Sequence, residues 1–176
     1  MILASSFFEE ADYQVHLHHQ ALNLQGTLFG IKMGEDTEWM MKSMACMGAD
    51  NGLYDDAVNI FEHLAYGSLE TSKLRPAAAR YFLYAGICFL AKADITAAKD
   101  ALRRYASWDP LILDSSEYKC LDKLINACET RDEKAFRLAV IGYNRGRKTI
   151  DDWEIRTLTT VQKAFKLVKV EETDLE

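Results

Sequence analysis

The stretch YFLYAGICFLAKADITAAKDALRRYASWDP, Tyr81–Pro110, constrains the fold of this chain more than any other. Measured from Pro110, apolar or small residues recur at helical spacing: Phe82, Ala85, Gly86 and Phe89 in a first run, then Ala98, Leu102 and Tyr105 in a second. The pattern predicts two antiparallel helices that complete each other's core. Gly86 and Ala98 let backbones approach, while Phe82, Phe89 and Leu102 fill the space beside them. A helix pair of this kind has a bare apolar edge that it cannot bury alone, so it requires neighbours on both sides.

Those neighbours are legible. EWMMKSMACMGAD carries Met40, Met41, Met44, Ala45, Cys46 and Met47, and Asn51–Gly52 closes it as a helix–helix turn. The next segment, LYDDAVNIFEHLAY, puts Tyr54, Ala57, Phe61 and Leu64 on one stripe, in register with Ile95, Ala98, Leu102 and Tyr105. Residues 38–66 and 79–110 therefore read as two copies of one hairpin at tetratricopeptide-like offsets, with Gly67–Leu74 as the loop between them. Downstream, Asp114–Ser116 caps a helix striped by Cys120, Leu121, Leu124, Ile125 and Cys128, and Thr130–Asp132 ends it. Ala135, Phe136, Ala139, Val140 and Tyr143 stripe the following helix, which is expected to end near Gly142–Gly146. Asp151–Asp152 opens the last, whose apolar face is Trp153, Ile155, Leu158, Val161, Phe165 and Val168. An eighth helix fits residues beyond Phe7, Phe8 and EEAD, before Gly26, Gly30 and Gly34 break the pattern. The expectation is an all-α, right-handed TPR-like helical-hairpin solenoid with a C-terminal helical bundle over residues 114–169. It forms a single helical-repeat domain over residues 1–170, and residues 171–176 form an acidic flexible tail.

Composition supports an ordered helical chain: 49% of its 176 residues are apolar and only 2 are proline. The net charge of −6 gives no general basic field for nucleic acid. Met1–Ala4 is too short and uncharged for a signal peptide, and no apolar run approaches the roughly 20 residues that cross a bilayer, so a cytoplasmic protein is expected. Cys46, Cys88, Cys120 and Cys128 form no Cys-x-x-Cys pair and read as buried thiols. His16 and His19 share a helical face but lack a third ligand. The acid pairs Glu9–Glu10, Asp55–Asp56 and Asp151–Asp152 stand where helices begin, which the backbone dipole explains. No phosphate loop or His-Glu-x-x-His motif is present, so catalytic, cofactor-binding and metal-binding residues are not expected.

Charge is organised instead toward the C-terminus. Arg145, Arg147, Lys148, Arg156, Lys163, Lys166 and Lys169 outnumber Asp151, Asp152 and Glu154, after which the chain ends EETDLE. A solvated face and an acidic helical partner both fit this basic run. Leu175 is a lone large apolar group among carboxylates.

The order AVNIFEHLA, RYFLYAGICFLAKADITAAKDALRRYASWDP, SSEYKCLDKLINACETRDEKAF, a tryptophan-opened last helix and an acidic-leucine end resembles the C-terminal part of the soluble NSF attachment proteins, from about Glu38 to Glu176. The resemblance implies a non-enzymatic adaptor that lays its array along the SNARE four-helix complex and recruits the NSF-type hexameric AAA ATPase, with peripheral membrane contact. It implies SNARE-binding roles for Lys42 and Arg75, with Arg80 beside the positions Ala79 and Tyr84 where the family commonly has lysines. It further implies that Leu175 couples to the ATPase in the acidic setting of Glu171, Glu172 and Asp174. Ser6–Phe7–Phe8 resembles, over three residues, a membrane-touching loop of the family, and ordinary packing at a helix start fits the same residues. Since members usually carry further N-terminal hairpins, a naturally shortened member or a fragment is expected. The alternative reading is a general TPR-like peptide-binding scaffold without a membrane-fusion role.

Overall fold

The computed structural model describes residues 35–69, 74–145, 147 and 151–167. The chain divides into two compact units, Met1–Met40 and Met41–Glu176. Of the first, the described part is the opening of one helix, where Trp39 and Met40 are exposed. The packing that follows belongs to the second. The eighth helix, His16, His19, Glu9–Glu10 and Ser6–Phe8 lie outside the described residues.

Seven α-helices run in order: α1 (Glu35–Asp50), α2 (Tyr54–Leu69), α3 (Arg75–Ala91), α4 (Ile95–Trp108), α5 (Ser116–Thr130), α6 (Glu133–Asn144) and α7 (Asp152–Ala164), with a 3-10 helix at Pro110–Asp114. Among the described residues there is no strand, and the all-α helical-hairpin expectation is borne out. Local chemistry places the breaks. Gly52, at φ 80°, makes the turn after α1 in the left-handed region that glycine tolerates. Asp94, Ser115 and Asp132 each accept a backbone N–H from the first turn of the helix they precede, at 2.9, 3.1 and 2.9 Å.

The inter-hairpin loop is shorter than Gly67–Leu74. Helix α2 continues through Gly67 to Leu69, and α3 begins at Arg75 with Pro76 in its first turn. A glycine inside a helix costs about 1 kcal/mol relative to alanine, too little to stop a helix that still has a side to bury. Ser68 is buried in that extra turn, and its hydroxyl donates to the Leu64 carbonyl at 2.8 Å. At the other end of the chain, α6 runs past Gly142 to Asn144.

Helix α3 is the hub. It packs against α2, α4, α5 and α7, and its residues from Tyr81 to Cys88 are buried without interruption. A helix apolar all round is one that is covered all round. Tyr81 and Tyr84 join Phe61 of α2 and Trp153 of α7, with ring centroids 5.4 Å apart for Phe61–Tyr84, 5.3 Å for Phe61–Trp153 and 5.0 Å for Tyr84–Trp153. Phe82 instead stacks on Tyr105 of α4 at 4.3 Å. Such pairs contribute about 0.5–1.5 kcal/mol each beyond the area they bury. Ala98 is fully buried, as the hairpin pattern requires. Gly86 meets a different neighbour from the expected one: a Cβ there would overlap both terminal methyls of Leu121 on α5 and stand 2.9 Å from its Cγ. Its missing side chain thus serves the contact with the following hairpin.

Candidate functional site

Lys42 lies on α1, partly buried, with its ammonium 3.0 Å from Asp151 Oδ2 and 5.8 Å from the centroid of the Tyr84 ring. Asp151 is the N-cap of α7. Its Oδ1 accepts the Trp153 N–H at 3.0 Å, and its own N–H donates to Glu154 Oε2 at 3.2 Å, closing a reciprocal capping box. Glu154 is 2% exposed, a carboxylate that would be costly to bury alone. Arg147 holds it through two parallel hydrogen bonds of 3.1 Å. Burial pushes the Asp151 carboxyl up, but the hydrogen bond from Lys42 and that from the Trp153 amide outweigh it, and the net shift is downward.

Two further contacts fasten α7 to α1. The Trp153 indole N–H donates to the Cys46 carbonyl at 3.2 Å, and Arg156 donates to Asp50 Oδ2 at 2.8 Å. Three ties therefore join residues more than a hundred positions apart in the chain, and part of the C-terminal basic run is engaged within the fold. Arg147 and Arg156 are paired in this way, whereas Arg145, Lys163 and Lys166 are exposed and form no ion pair among the described residues. Lys148 and Lys169 lie outside those residues.

Arg75 and Arg80 come together elsewhere. Both line a groove of about 490 Å³ at the start of α3, bordered by the 3-10 helix and the start of α5. Arg75 stands 3.8 Å from Asp109, a long contact between an exposed guanidinium and a mostly covered carboxylate, and Arg80 is exposed with no ion-pair partner among the described residues. Lys42 does not line this groove. Ala79 and Tyr84 are 7% and 1% exposed, so neither position offers a surface contact. Glu171, Glu172, Asp174 and Leu175 lie outside the described residues.

The cysteines are free thiols. Cys88, Cys120 and Cys128 are buried as expected, while Cys46 is only half-buried. Burial pushes the Cys46, Cys120 and Cys128 thiols up to about 12, and raises Cys88 as well, which keeps the unreactive protonated form at neutral pH. Among the described residues no three His, Cys, Asp or Glu side chains converge to hold a metal ion, and no helix is long and apolar enough to cross a membrane.

The three ties on α7 escaped the sequence reading. Periodicity gave the α7 cap and Trp153 as an apolar residue, but no spacing rule connects Asp151 to Lys42. The stripe assigned to α7 holds at Trp153, Val161 and Phe165, which are buried, whereas Ile155 is 49% exposed and Thr157, outside the stripe, is buried.

Stacked hairpins with a C-terminal helix folded back over the hub define a helical-hairpin array. The chain matches the family model "Soluble NSF attachment protein, SNAP" over residues 32–166. It is 34% identical over 122 residues to an alpha-soluble NSF attachment protein of Vitis vinifera, covering 69% of this chain and 42% of the relative. A soluble NSF attachment protein homolog of fowlpox virus is 30% identical over 133 residues, covering 76% of this chain and 46% of the viral protein. A beta-soluble NSF attachment protein of Bos taurus is 28% identical over 123 residues, covering 70% and 41%. The chain belongs to the soluble NSF attachment protein family. It spans less than half the length of these curated relatives.

Proposed function

We propose that this chain acts as a SNAP-like adaptor, binding assembled SNARE complexes and recruiting or stimulating the NSF ATPase for their disassembly in vesicle trafficking, with peripheral recruitment to membranes from the cytoplasm. Family membership over residues 32–166 is the observation that carries the reading. Members of the family are non-enzymatic adaptors, and the general peptide-binding scaffold is not favoured by that match. Lys42, Arg75 and Arg80 are the proposed SNARE-binding residues. Glu171, Glu172, Asp174 and Leu175 are the proposed coupling residues.

Capture of a preassembled SNARE four-helix bundle by the immobilised chain tests the reading, with single SNARE peptides as the comparison. The chain should retain the bundle, and Lys42→Glu with Arg75→Glu should weaken capture most at low salt, where screening is least. Lys42 is also tied to Asp151, so Asp151→Asn is the control: it breaks the same tie and should leave capture intact. Leu175→Ala should preserve capture and reduce ATP turnover by added NSF. Equal capture of the bundle and of single peptides would favour the scaffold reading instead.

A further inference from the structure

The groove at the start of α3 is lined by charges of both signs, Arg75 and Arg80 against Asp109 and Glu117, and the signs differ in exposure. Both arginines are exposed, whereas the Asp109 side chain is 12% exposed and Glu117 is half-buried. Both carboxylates are also engaged: Asp109 Oδ1 accepts the Leu111 N–H at 3.2 Å, and Glu117 Oε2 accepts the Ser116 hydroxyl at 2.9 Å. Asp114, the exposed acid that ends the 3-10 helix, does not line the groove and stands 3.9 Å from Lys119. The charges a partner can reach in this groove are therefore mainly positive.

Leu111 lines the same groove and is 67% exposed, with Pro76 exposed and Leu69 half-buried. A single exposed leucine is ordinary on a protein surface; what sets Leu111 apart is how firmly its backbone is held. Its N–H is taken by Asp109, and Pro110 restricts the chain before it. Ile112, its next neighbour, is 5% exposed, and the Ile112 carbonyl accepts the Ser115 N–H at 2.9 Å and the Ser115 hydroxyl at 2.6 Å. A turn pinned on both sides presents its leucine already ordered, so a partner that covers it removes little backbone freedom. An apolar side chain that shares a groove with two reachable guanidinium groups complements a helix on which an outward apolar residue is flanked by carboxylates.

We propose, resting on the SNARE reading, that Leu111 is the apolar anchor of the SNARE contact: an acidic helix of the assembled bundle lays an outward apolar side chain against Leu111 and Pro76, with its carboxylates toward Arg75 and Arg80.

The immobilised four-helix SNARE bundle is titrated with the full chain at several salt concentrations and read by surface plasmon resonance. Leu111→Ser should bind about tenfold more weakly, a loss of hot-spot size, with the salt dependence of wild type, because an apolar contact is not screened. Its melt, followed by circular dichroism, should match wild type, since the side chain is mostly exposed. Leu111→Met, which keeps the apolar contact, should bind like wild type. Arg80→Ser should weaken binding about threefold and flatten its salt dependence. Leu113→Ser, on a residue of the same turn that is 45% exposed and does not line the groove, should change nothing. Binding by wild type that Leu111→Ser leaves undiminished overturns the anchor and leaves the SNARE reading standing, whereas no binding by wild type overturns both. An equal loss with Leu113→Ser or with Leu111→Met overturns the anchor as well. So does a dimer in sedimentation that Leu111→Ser dissolves, which would give the groove to a second copy of the chain.

Discussion

Helices α3 and α6 are both members of hairpins, yet α3 is covered on all sides and α6 on one. Around α3 stand four helices, and even its tyrosines are buried, whereas α6 buries a stripe of Phe136, Ala139 and Tyr143 and leaves Leu138 at 59% and Ile141 at 48% exposure. In a stacked array, coverage depends on position: an inner helix meets neighbours before, behind and beside it, and a helix near the end of a stack meets fewer. Here α7 makes the contrast sharper, because it folds back on α3 and adds coverage where coverage was already greatest. The difference teaches that apolar content alone does not mark the core.

The largest effect should come from removing the residue that fastens α7 to the hub. Trp153→Ala deletes a buried indole from the cluster with Phe61 and Tyr84, together with its bond to the Cys46 carbonyl. A loss of about 3–5 kcal/mol in urea denaturation is expected for a large buried aromatic. Hydrogen exchange should show α7 losing protection before α3. A loss under about 1 kcal/mol would mean that α7 contributes little to covering the hub.

A smaller effect belongs to Gly86. The added methyl of Gly86→Ala overlaps Leu121, which is 1% exposed and has little room to yield, so about 1–3 kcal/mol of overpacking is expected. Against it works the helix preference for alanine, about 1 kcal/mol. In a Leu121→Ala background the clash is gone, and Gly86→Ala should become neutral or stabilising. An equal penalty in both backgrounds would move the close contact away from α5.

The smallest effect concerns Asp151, and its sign follows from linkage. The folded carboxyl titrates below its ordinary value of 3.8, so its contribution is present above the unfolded value and is lost as pH falls through the folded one. Asp151→Asn should therefore lower stability near neutral pH by roughly 0–1 kcal/mol, the range for a partly exposed pair, and flatten the decline below pH 3.8. Melting temperature measured against pH for both chains checks this. Parallel curves would remove the Lys42–Asp151 tie from the forces holding α7.

What the sequence determined by itself is local. Helical periodicity, the Asn51–Gly52 turn and caps such as Ser115, Asp132 and Asp151 involve residues a few positions apart, and a chain with these features has few other ways to satisfy its backbone there. The seven described helices follow from this. Ends set by packing were less legible, as with Gly67, whose propensity cost is small beside the burial gained by continuing to Leu69. The tertiary structure alone decided which apolar residues are core. Ile155 and Val161 belong to one sequence stripe, but the angle at which α7 meets α3 buries the second and leaves the first at a groove. It alone decided that Lys42 is tied to Asp151 and that Arg80 has no ion-pair partner among the described residues, because a charge's partner depends on which distant helix lies within hydrogen-bond reach. Periodicity fixes the face of a helix but not the neighbour that the face will meet.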